Sequence, residues 1–309
     1  MMTKRIYVVT AATGRIGGRV ARGLLEAGHD VHVIGRNPER LRALAALGAR
    51  VFRGDVRDAR FVEESFQRAD VAFLLVPGDR MSGDFRRYFG DVGTNYANAL
   101  RNTSLHSAIF ISTIGAHDDR YRGLILVHAD VERSLDEVPD LNVLHLRAAA
   151  FFENLFYWLP LTRARGALVS PIRPDATLDL ASTSDVAAVT LRFLQELEFH
   201  GKSAVELHGR EPLTMREIAE CVSRRLGRPF PVERTTRDED IEYLTARGMS
   251  HDFANLMNDT WDTFSRYGQL RAEPAANSVK GLTSIDEFIR EQFAPAIVVP
   301  EQLASSHAG

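Results

Sequence analysis

A short apolar run at residues 6–9 passes directly into Thr10-Ala11-Ala12-Thr13-Gly14-Arg15-Ile16-Gly17, and the residues after it repeat at helical spacing. Few folds turn a strand straight into a helix on glycines. The helix N-terminus presents unpaired N–H groups and a partial positive charge, which suit a pyrophosphate. Gly14 lets the backbone come close to the phosphates, Gly17 lets the helix pack on the strand, and Gly18 extends that small surface. Ala11 stands where this spacing usually carries its first glycine. Its Cβ fits if φ stays negative, with some loss of affinity expected. Ala11, Ala12, Thr13, Gly14, Arg15 and Ile16 are therefore the expected contacts to a dinucleotide.

The rest of the first half keeps the rhythm that this turn starts. Strands are expected at residues 6–10, 31–34, 51–52, 71–76, 108–112 and 143–146. Between them lie helical patterns at 16–27, from Pro38 to Gly48, from Asp58 to about 68, at 84–102 and at 124–137. Apolar strands alternating with helices make parallel β-α-β units. The expected class is α/β, a doubly wound parallel Rossmann sheet with a smaller α/β C-terminal lobe. Such sheets bind ligands at the carboxyl ends of their strands. After residue 149 the rhythm weakens. A helix at 185–197 with Asp185 as N-cap or first-turn acid, a strand at 204–207, and helices near 237–246, 250–266 and 283–293 are expected. Thr214 with Glu217 reads as a capping box opening another helix, with Gly227 beyond its end. The expected division is a nucleotide-binding domain at 1–149, a substrate lobe at 150–293 and a flexible tail at 294–309.

Composition narrows the function class. With 45% apolar and 26% charged residues, the 309-residue chain is too apolar to be disordered. Its net charge of −3 disfavours a nucleic-acid partner. No apolar run approaches the roughly 18 residues of a membrane helix. One cysteine, Cys221, excludes an internal disulfide and a multi-cysteine metal site, and no metal ligand set is expected. A reducing cytoplasmic setting, and a monomer or homodimer acting on a small-molecule substrate, are the expectations.

The strand ends supply the selective residues. Arg36 follows the second strand 19 residues after Gly17, near where a fold selective for NAD places an acid for the ribose 2′-hydroxyl. A guanidinium cannot accept that hydrogen bond but clamps a 2′-phosphate. The expected cofactor is thus NADP (NADPH). Asp55 is placed either to accept from the adenine amino group or to cap the next helix, with Val56 against the ring. Val76 and Pro77 should line the adenosine side. Ser112 and Thr113 end the fifth strand and contact either the nicotinamide ribose or substrate, or else bond to backbone.

These residues together resemble the NmrA-like branch of the atypical short-chain dehydrogenase/reductases over about residues 5–293. The supporting segments are Ala11–Gly17, Arg36-Asn37-Pro38, Gly54-Asp55, His128-x-x-x-Glu132 and Leu146-Arg147-x-x-x-Phe151-Phe152-Glu153-Asn154-Leu155. Ala148 replaces the usual proline of the last segment, so a looser turn is expected there. The resemblance implies NADPH-dependent reduction of quinones, azo compounds or aromatic dyes, or NADP binding by a regulator that has lost catalysis. It also implies that Phe151–Asn154 lie beside the nicotinamide. Phe152 would then be an aromatic wall and Asn154 a partner for the carboxamide.

The relatives' Tyr-x-x-x-Lys relay cannot form here, because no lysine occurs between residues 5 and 201. Ile125 stands four residues after Tyr121. His128 occupies the position where many members keep the lysine. It is the candidate ribose ligand or proton donor, since an imidazole near pKa 6.5 offers both forms. Glu132, one turn on, either orients it or is solvated. Hydride transfer to a quinone-like acceptor needs positioning more than a strong acid, and Tyr88, Phe89, Phe152, Tyr157 and Trp158 are candidate walls. Residues 115–123 form a candidate mobile lid. The expected function is an NADPH-dependent reductase of a quinone-like or conjugated molecule, the alternative a non-catalytic NADP(H)-binding redox sensor.

Overall fold

A computed structural model describes residues 4–268 and 277–298. Strand β1 (Ile6–Val9) leads into helix α1 (Arg15–Glu26), and the alternation continues through β2 (Asp30–Gly35), α2 (Pro38–Ala46), β3 (Arg50–Arg53), α3 (Ala59–Phe66), β4 (Val71–Leu74), α4 (Phe85–Asn102), β5 (Ser107–Thr113), α5 (Leu124–Asp136) and β6 (Asn142–Ala148). The second half runs β7 (Ala150–Phe151), a 3₁₀ segment (Phe152–Trp158), α6 (Leu159–Arg165), β8 (Leu168–Ser170), β9 (Leu178–Ala181), α7 (Thr183–Glu196), β10 (Lys202–His208), β11 (Pro212–Leu213), α8 (Met215–Leu226), β12 (Val232–Arg234), α9 (Arg237–Ala246), α10 (His251–Tyr267), β13 (Ser278–Lys280), α11 (Ile285–Phe288), a π turn (Ile289–Phe293) and α12 (Ala294–Val298).

The main sheet has eight strands in the order β13-β10-β6-β5-β4-β1-β2-β3, every neighbouring pair parallel. The period-two pattern of each strand explains the helices on both faces. Tyr7 and Val9 join one core with Leu24, Leu41 and Val186, so α1, α2 and α7 cover that face. Val8, Ala72 and Phe110 join the other core with Phe66, Tyr96 and Val131, so α3, α4 and α5 cover the opposite face. Successive connections diverge between β1 and β4, which makes their carboxyl ends the crevice of the fold.

The expected division at residue 149 does not divide the sheet. β10 and β13 belong to the second half of the chain yet extend the first half's sheet beyond β6. The remaining elements, with a three-stranded sheet β11-β9-β7 and the pair β12-β8, form the smaller lobe. Asp179 on β9 accepts from the Gly209 N–H at 2.7 Å and pairs with His208 on β10, sealing the lobe to the sheet. The expected tail also needs correction. Ala294–Val298 is helical, Ala294 is buried, and Arg163 donates to the Ala296 carbonyl. Residues 299–309 lie outside the described residues.

Local signals hold at most helix starts. Asn37, Asp58 and Asp84 cap α2, α3 and α4, and the Thr214–Glu217 box opens α8 as expected. Asp185 is a first-turn acid of α7, whose cap is Ser182. Ala148 ends β6 as a paired strand residue, so the expected loosening there does not occur.

Candidate functional site

The turn after β1 is tied to β4 before it reaches α1. Thr10 Oγ1 donates to the Leu75 carbonyl at 3.0 Å and accepts the Leu75 N–H at 2.8 Å. Ala11 then takes φ +48°, in the left-handed region, and its carbonyl accepts the Gly14 N–H at 2.9 Å. The expectation of a negative φ at Ala11 is therefore overturned: the chain reverses here in the way a glycine would, with a methyl retained. A Cβ on Gly17 would sit 2.5 Å from the Ala11 carbonyl oxygen, so only glycine fits that crossing. Helix α1 has no side-chain cap, unlike α2, α3 and α4, and no acid in its first turn. Its first N–H groups are left for an anionic ligand. That free helix end is the observation that a pyrophosphate fits.

Ala11 borders two cavities. The smaller, about 60 Å³, is lined by Thr13, Ile34, Gly35, Arg36, Gly54, Asp55, Val56, Pro77 and Tyr88. Arg36 is exposed at its rim and makes no ion pair among the described residues. Asp55 is not a helix cap, since Asp58 takes the Arg60 and Phe61 N–H groups. Instead Arg57 holds the Asp55 carboxylate through its N–H at 3.0 Å and its guanidinium at 2.8 Å. Burial opposes that charge, but the bonds from Arg57 outweigh burial and hold the carboxyl below its ordinary range. Tyr88 donates to the Pro77 carbonyl and walls the pocket; burial pushes its hydroxyl up to about 12.

The larger cleft, about 490 Å³, runs from Gly14, Arg15, Ile16 and Gly17 past Val76 to Ser112, His128, Phe151 and Asn154. Its far half is apolar and aromatic, from Phe85 and Phe89 on α4, Leu124 and Ile125 on α5, and Phe253, Trp261 and Phe264 on α10. Two residues that line it carry buried ring nitrogens without a partner, His128 Nδ1 and Trp261 Nε1, and Ser112 Oγ has at most the Glu132 carboxylate. Such atoms are destabilising unless a ligand or water meets them.

Several expected roles shift. Phe152 does not wall the cleft; it is 1% exposed and stacks on Phe288 at 5.3 Å, while Phe151 faces the cavity instead. After β7 the chain alternates sides, which sends the second aromatic into the lobe core. Ala12 lines neither cavity, its side chain being buried in the core beneath α1. Burial presses the His128 imidazole down to about 4, the nearby Glu132 charge only partly opposing this, so the expected equal supply of both protonation forms is absent near neutrality. Glu132 neither orients His128 nor meets solvent. It is buried and accepts two bonds from Arg147, at 2.9 and 2.6 Å. Of the candidate walls, Phe89 and Tyr157 line the cleft, Tyr88 the smaller pocket, and Trp158 is buried with its N–H on Asp240. The candidate lid at residues 115–123 is anchored by Tyr121, which is 4% exposed. Leu124 N–H also bonds Thr260 Oγ1 at 2.8 Å.

Sequence reading missed Phe85, Phe253, Trp261, Phe264 and Glu153. The four aromatics lie on α4 and α10, and ordinary helix periodicity carries no sign of which face meets a cleft. Glu153 accepts the Thr183 N–H at 3.2 Å and the Thr183 hydroxyl, bracing the start of α7 from the segment that carries Asn154. Its place in the quoted motif was the available signal.

Residues 2–289 match the profile of the NmrA-like family. A (4-alkanoyl-5-oxo-2,5-dihydrofuran-3-yl)methyl phosphate reductase of Streptomyces griseus is 27% identical over 242 residues, 78% of this chain and 81% of that protein. Among solved structures, the NADPH-dependent quinone oxidoreductase of Escherichia coli, complexed with NADPH, superposes with TM-score 0.78 at 21% identity, covering 93% of this chain and 99% of that one. The triphenylmethane reductase of Citrobacter sp., complexed with NADP(H), gives TM-score 0.77 at 20% identity, covering 92% and 99%. No described helix is long and apolar enough to cross a membrane.

Proposed function

The chain belongs to the NmrA-like family, and on that premise we propose that it is an NADPH-dependent reductase of a quinone-like or otherwise conjugated small molecule. The observation that carries this reading is the pairing of two cavities at Ala11: a small one with an unpaired guanidinium at its rim, and a cleft with a free helix N-terminus at one end and aromatic walls at the other. The relatives named above bind NADP(H) or reduce conjugated substrates, which supports the same reading.

In this reading the α1 N-terminus, with Ala11, Thr13, Gly14, Arg15 and Ile16, holds the pyrophosphate. Ala12 contributes through its backbone alone. Arg36 clamps the 2′-phosphate, Asp55 accepts from the adenine amino group, and Val56 and Pro77 flank the ring. Val76 lies along the cleft floor. Asn154 orients the carboxamide, and Ser112 and His128 face the nicotinamide ribose, where the unmet His128 Nδ1 finds a partner. When bound, NADPH would supply a hydride, and an acceptor that takes it up would need one proton besides. His128 is neutral, so the proton comes from water and not from an imidazolium. The protein's part is to hold a flat acceptor between Phe89, Phe151 and Trp261 and to keep water off the transfer.

The test is titration of both cofactors followed by stopped-flow oxidation of bound NADPH across a quinone panel. The expected result is NADP binding tighter than NAD by roughly 10- to 100-fold, with turnover of at least one quinone. Tight NADPH binding without turnover of any acceptor would leave the redox sensor as the function. Tighter NAD than NADP would remove the role given to Arg36.

A further inference from the structure

We propose that the acceptor is an anionic conjugated molecule, bearing a carboxylate, sulfonate or phosphate ester, and that Arg80 is the residue that selects it. This rests on the reductase reading for the location of the acceptor. The side chains lining the larger cleft include two guanidinium groups, Arg15 and Arg80, and no carboxylate. Arg15 opens α1 beside the phosphate turn, its Cζ 5.9 Å from the centroid of the Phe156 ring, and in the reductase reading its charge goes to the pyrophosphate. Arg80 has no such claim on it. It lies in the β4–α4 connection, with no ion pair and no hydrogen bond from its guanidinium among the described residues. Its Cζ sits 4.8 Å over the ring of Tyr157, which also lines the cleft.

The acids near Arg80 are engaged elsewhere. Asp79 accepts the Met81 N–H at 3.2 Å, Asp84 caps α4 through the Arg87 N–H at 2.9 Å, and Asp252 accepts the Phe85 N–H at 2.7 Å. The Arg80 backbone is fixed as well, its carbonyl accepting the Ser250 N–H at 2.9 Å. A guanidinium stacked on an aromatic ring keeps its in-plane N–H donors free, the geometry that takes an oxyanion bidentately. Arg80 and Tyr157 meet at the cleft from two different elements, the β4–α4 connection and the 3₁₀ segment. A flat acceptor seated on the aromatic walls would carry its anionic substituent out to them. Arg80 is a specificity residue in this scheme and takes no part in hydride transfer.

Equilibrium binding to the protein–NADP⁺ complex tests this without requiring turnover. The probes are 2-methyl-1,4-naphthoquinone, the same ring carrying a sulfonate or a carboxylate, and one carrying a trimethylammonium group. The expected order is anionic tighter than neutral by about tenfold, cationic weakest, with the preference shrinking as salt rises. Arg80→Gln should bring the anionic-to-neutral ratio close to one, and Arg80→Lys should keep part of it. Equal binding of charged and neutral probes by the native protein would overturn the proposal. So would a ratio that survives Arg80→Gln while NADP⁺ affinity falls, since that result assigns Arg80 to the cofactor. A complex that prefers the anionic probes but never oxidises NADPH upholds the role of Arg80 and removes the reductase reading instead.

Discussion

The two ends of the cleft are built on different plans. At the phosphate and adenosine end, all but one of the small pocket's lining residues lie at or just after the ends of β1, β2, β3 and β4, Tyr88 of α4 being the exception, and the chemistry is charged: a free helix end, Arg36, and Asp55 braced by Arg57. At the acceptor end, the walls come from α4, α5, α10 and the segment after β7, and they are mostly apolar. A dinucleotide is the same molecule in every protein that binds it, so its half of the site is a fixed local pattern. An acceptor is recognised by shape, and shape is made by packing elements distant in the chain.

The contrast breaks most completely if Gly17 tolerates a side chain. A Cβ there meets three backbone atoms of Thr10 and Ala11, the nearest at 2.5 Å, and none of them is a flexible group that can move aside. Gly17→Ala should destabilise the protein by roughly 3 kcal/mol and abolish measurable cofactor binding. Thermal unfolding and calorimetry read both effects. Normal binding with normal stability would mean that the turn is not held as rigidly as its register to β4 implies. A change of one carbon at the acceptor end, such as the deletion in Ile125→Val, should cost far less.

At the acceptor end the matching test is the half-buried imidazole of His128. The folded-state value for His128 lies near 4, below the ordinary 6.5, so the unfolded chain binds more protons between those limits. Stability from this group is complete above about pH 6.5 and is lost as pH falls toward 4, by at most about 3 kcal/mol. His29 and His32, also lowered by burial, add slope of the same sign, whereas His208, raised to about 9 by Asp179 and Glu206, contributes stability that is complete below about pH 6.5 and is lost only as pH rises toward 9, outside this window. The comparison is therefore between native protein and His128→Gln, whose melting temperature should fall less steeply on acidification over that window. The same neutrality predicts that kcat/KM carries no His128 limb between pH 5.5 and 8. A bell with an arm near 6.5 that disappears in His128→Gln would show an imidazole that charges, and would restore it as a proton donor.

How much could be read beforehand follows the same division. The succession of strands and helices along the first half, the start at Asp58, the box at Thr214 and the strand-to-helix turn after β1 were legible because they depend on neighbours a few residues away. Phe152 was misplaced because a run of two aromatics gives no register; only the pairing of β7 with β9 decides that Phe151 faces the cleft and Phe152 the core. Glu132 looked like a surface acid because its partner, Arg147, lies across a strand connection. Trp261 and Phe264 gave no sign at all. Their periodicity is that of any buried helix face, and the cleft they line exists only once α10 packs beside α5.

Arg36 sharpens the comparison from the charged side. Arg36→Ala should lower the preference for NADP over NAD by roughly 1.5–3 kcal/mol, or 10- to 100-fold. The change should appear in NADP affinity alone, because NAD offers the guanidinium no phosphate. It should shrink at high salt, since Arg36 is exposed. The acceptor end should not respond: binding of a neutral naphthoquinone to the NADP⁺-saturated variant should match that of the native protein. Loss of NADP and NAD affinity together would instead mean that Arg36 shapes the pocket and does not read the phosphate.

The smallest effect belongs to Ala11, the residue shared by both cavities. An alanine at φ +48° bears about 1 kcal/mol of backbone strain that glycine would not. Glycine also frees the unfolded chain, which returns part of that gain. Ala11→Gly should therefore raise the melting temperature by only about 1–3 °C. Its effect on NADP affinity separates two pictures of the turn. The Thr10 bonds to Leu75 and the Ala11–Gly14 bond hold the strained conformation without any ligand, so strain is present in free and bound states alike and cancels from the affinity. An unchanged Kd fits a turn preset by β1 and β4, contrary to the weakened binding expected from the missing glycine. A Kd that tightens several-fold in Ala11→Gly would mean that the turn relaxes when empty and that NADP must bend it, leaving the charged end no more preformed than the apolar one.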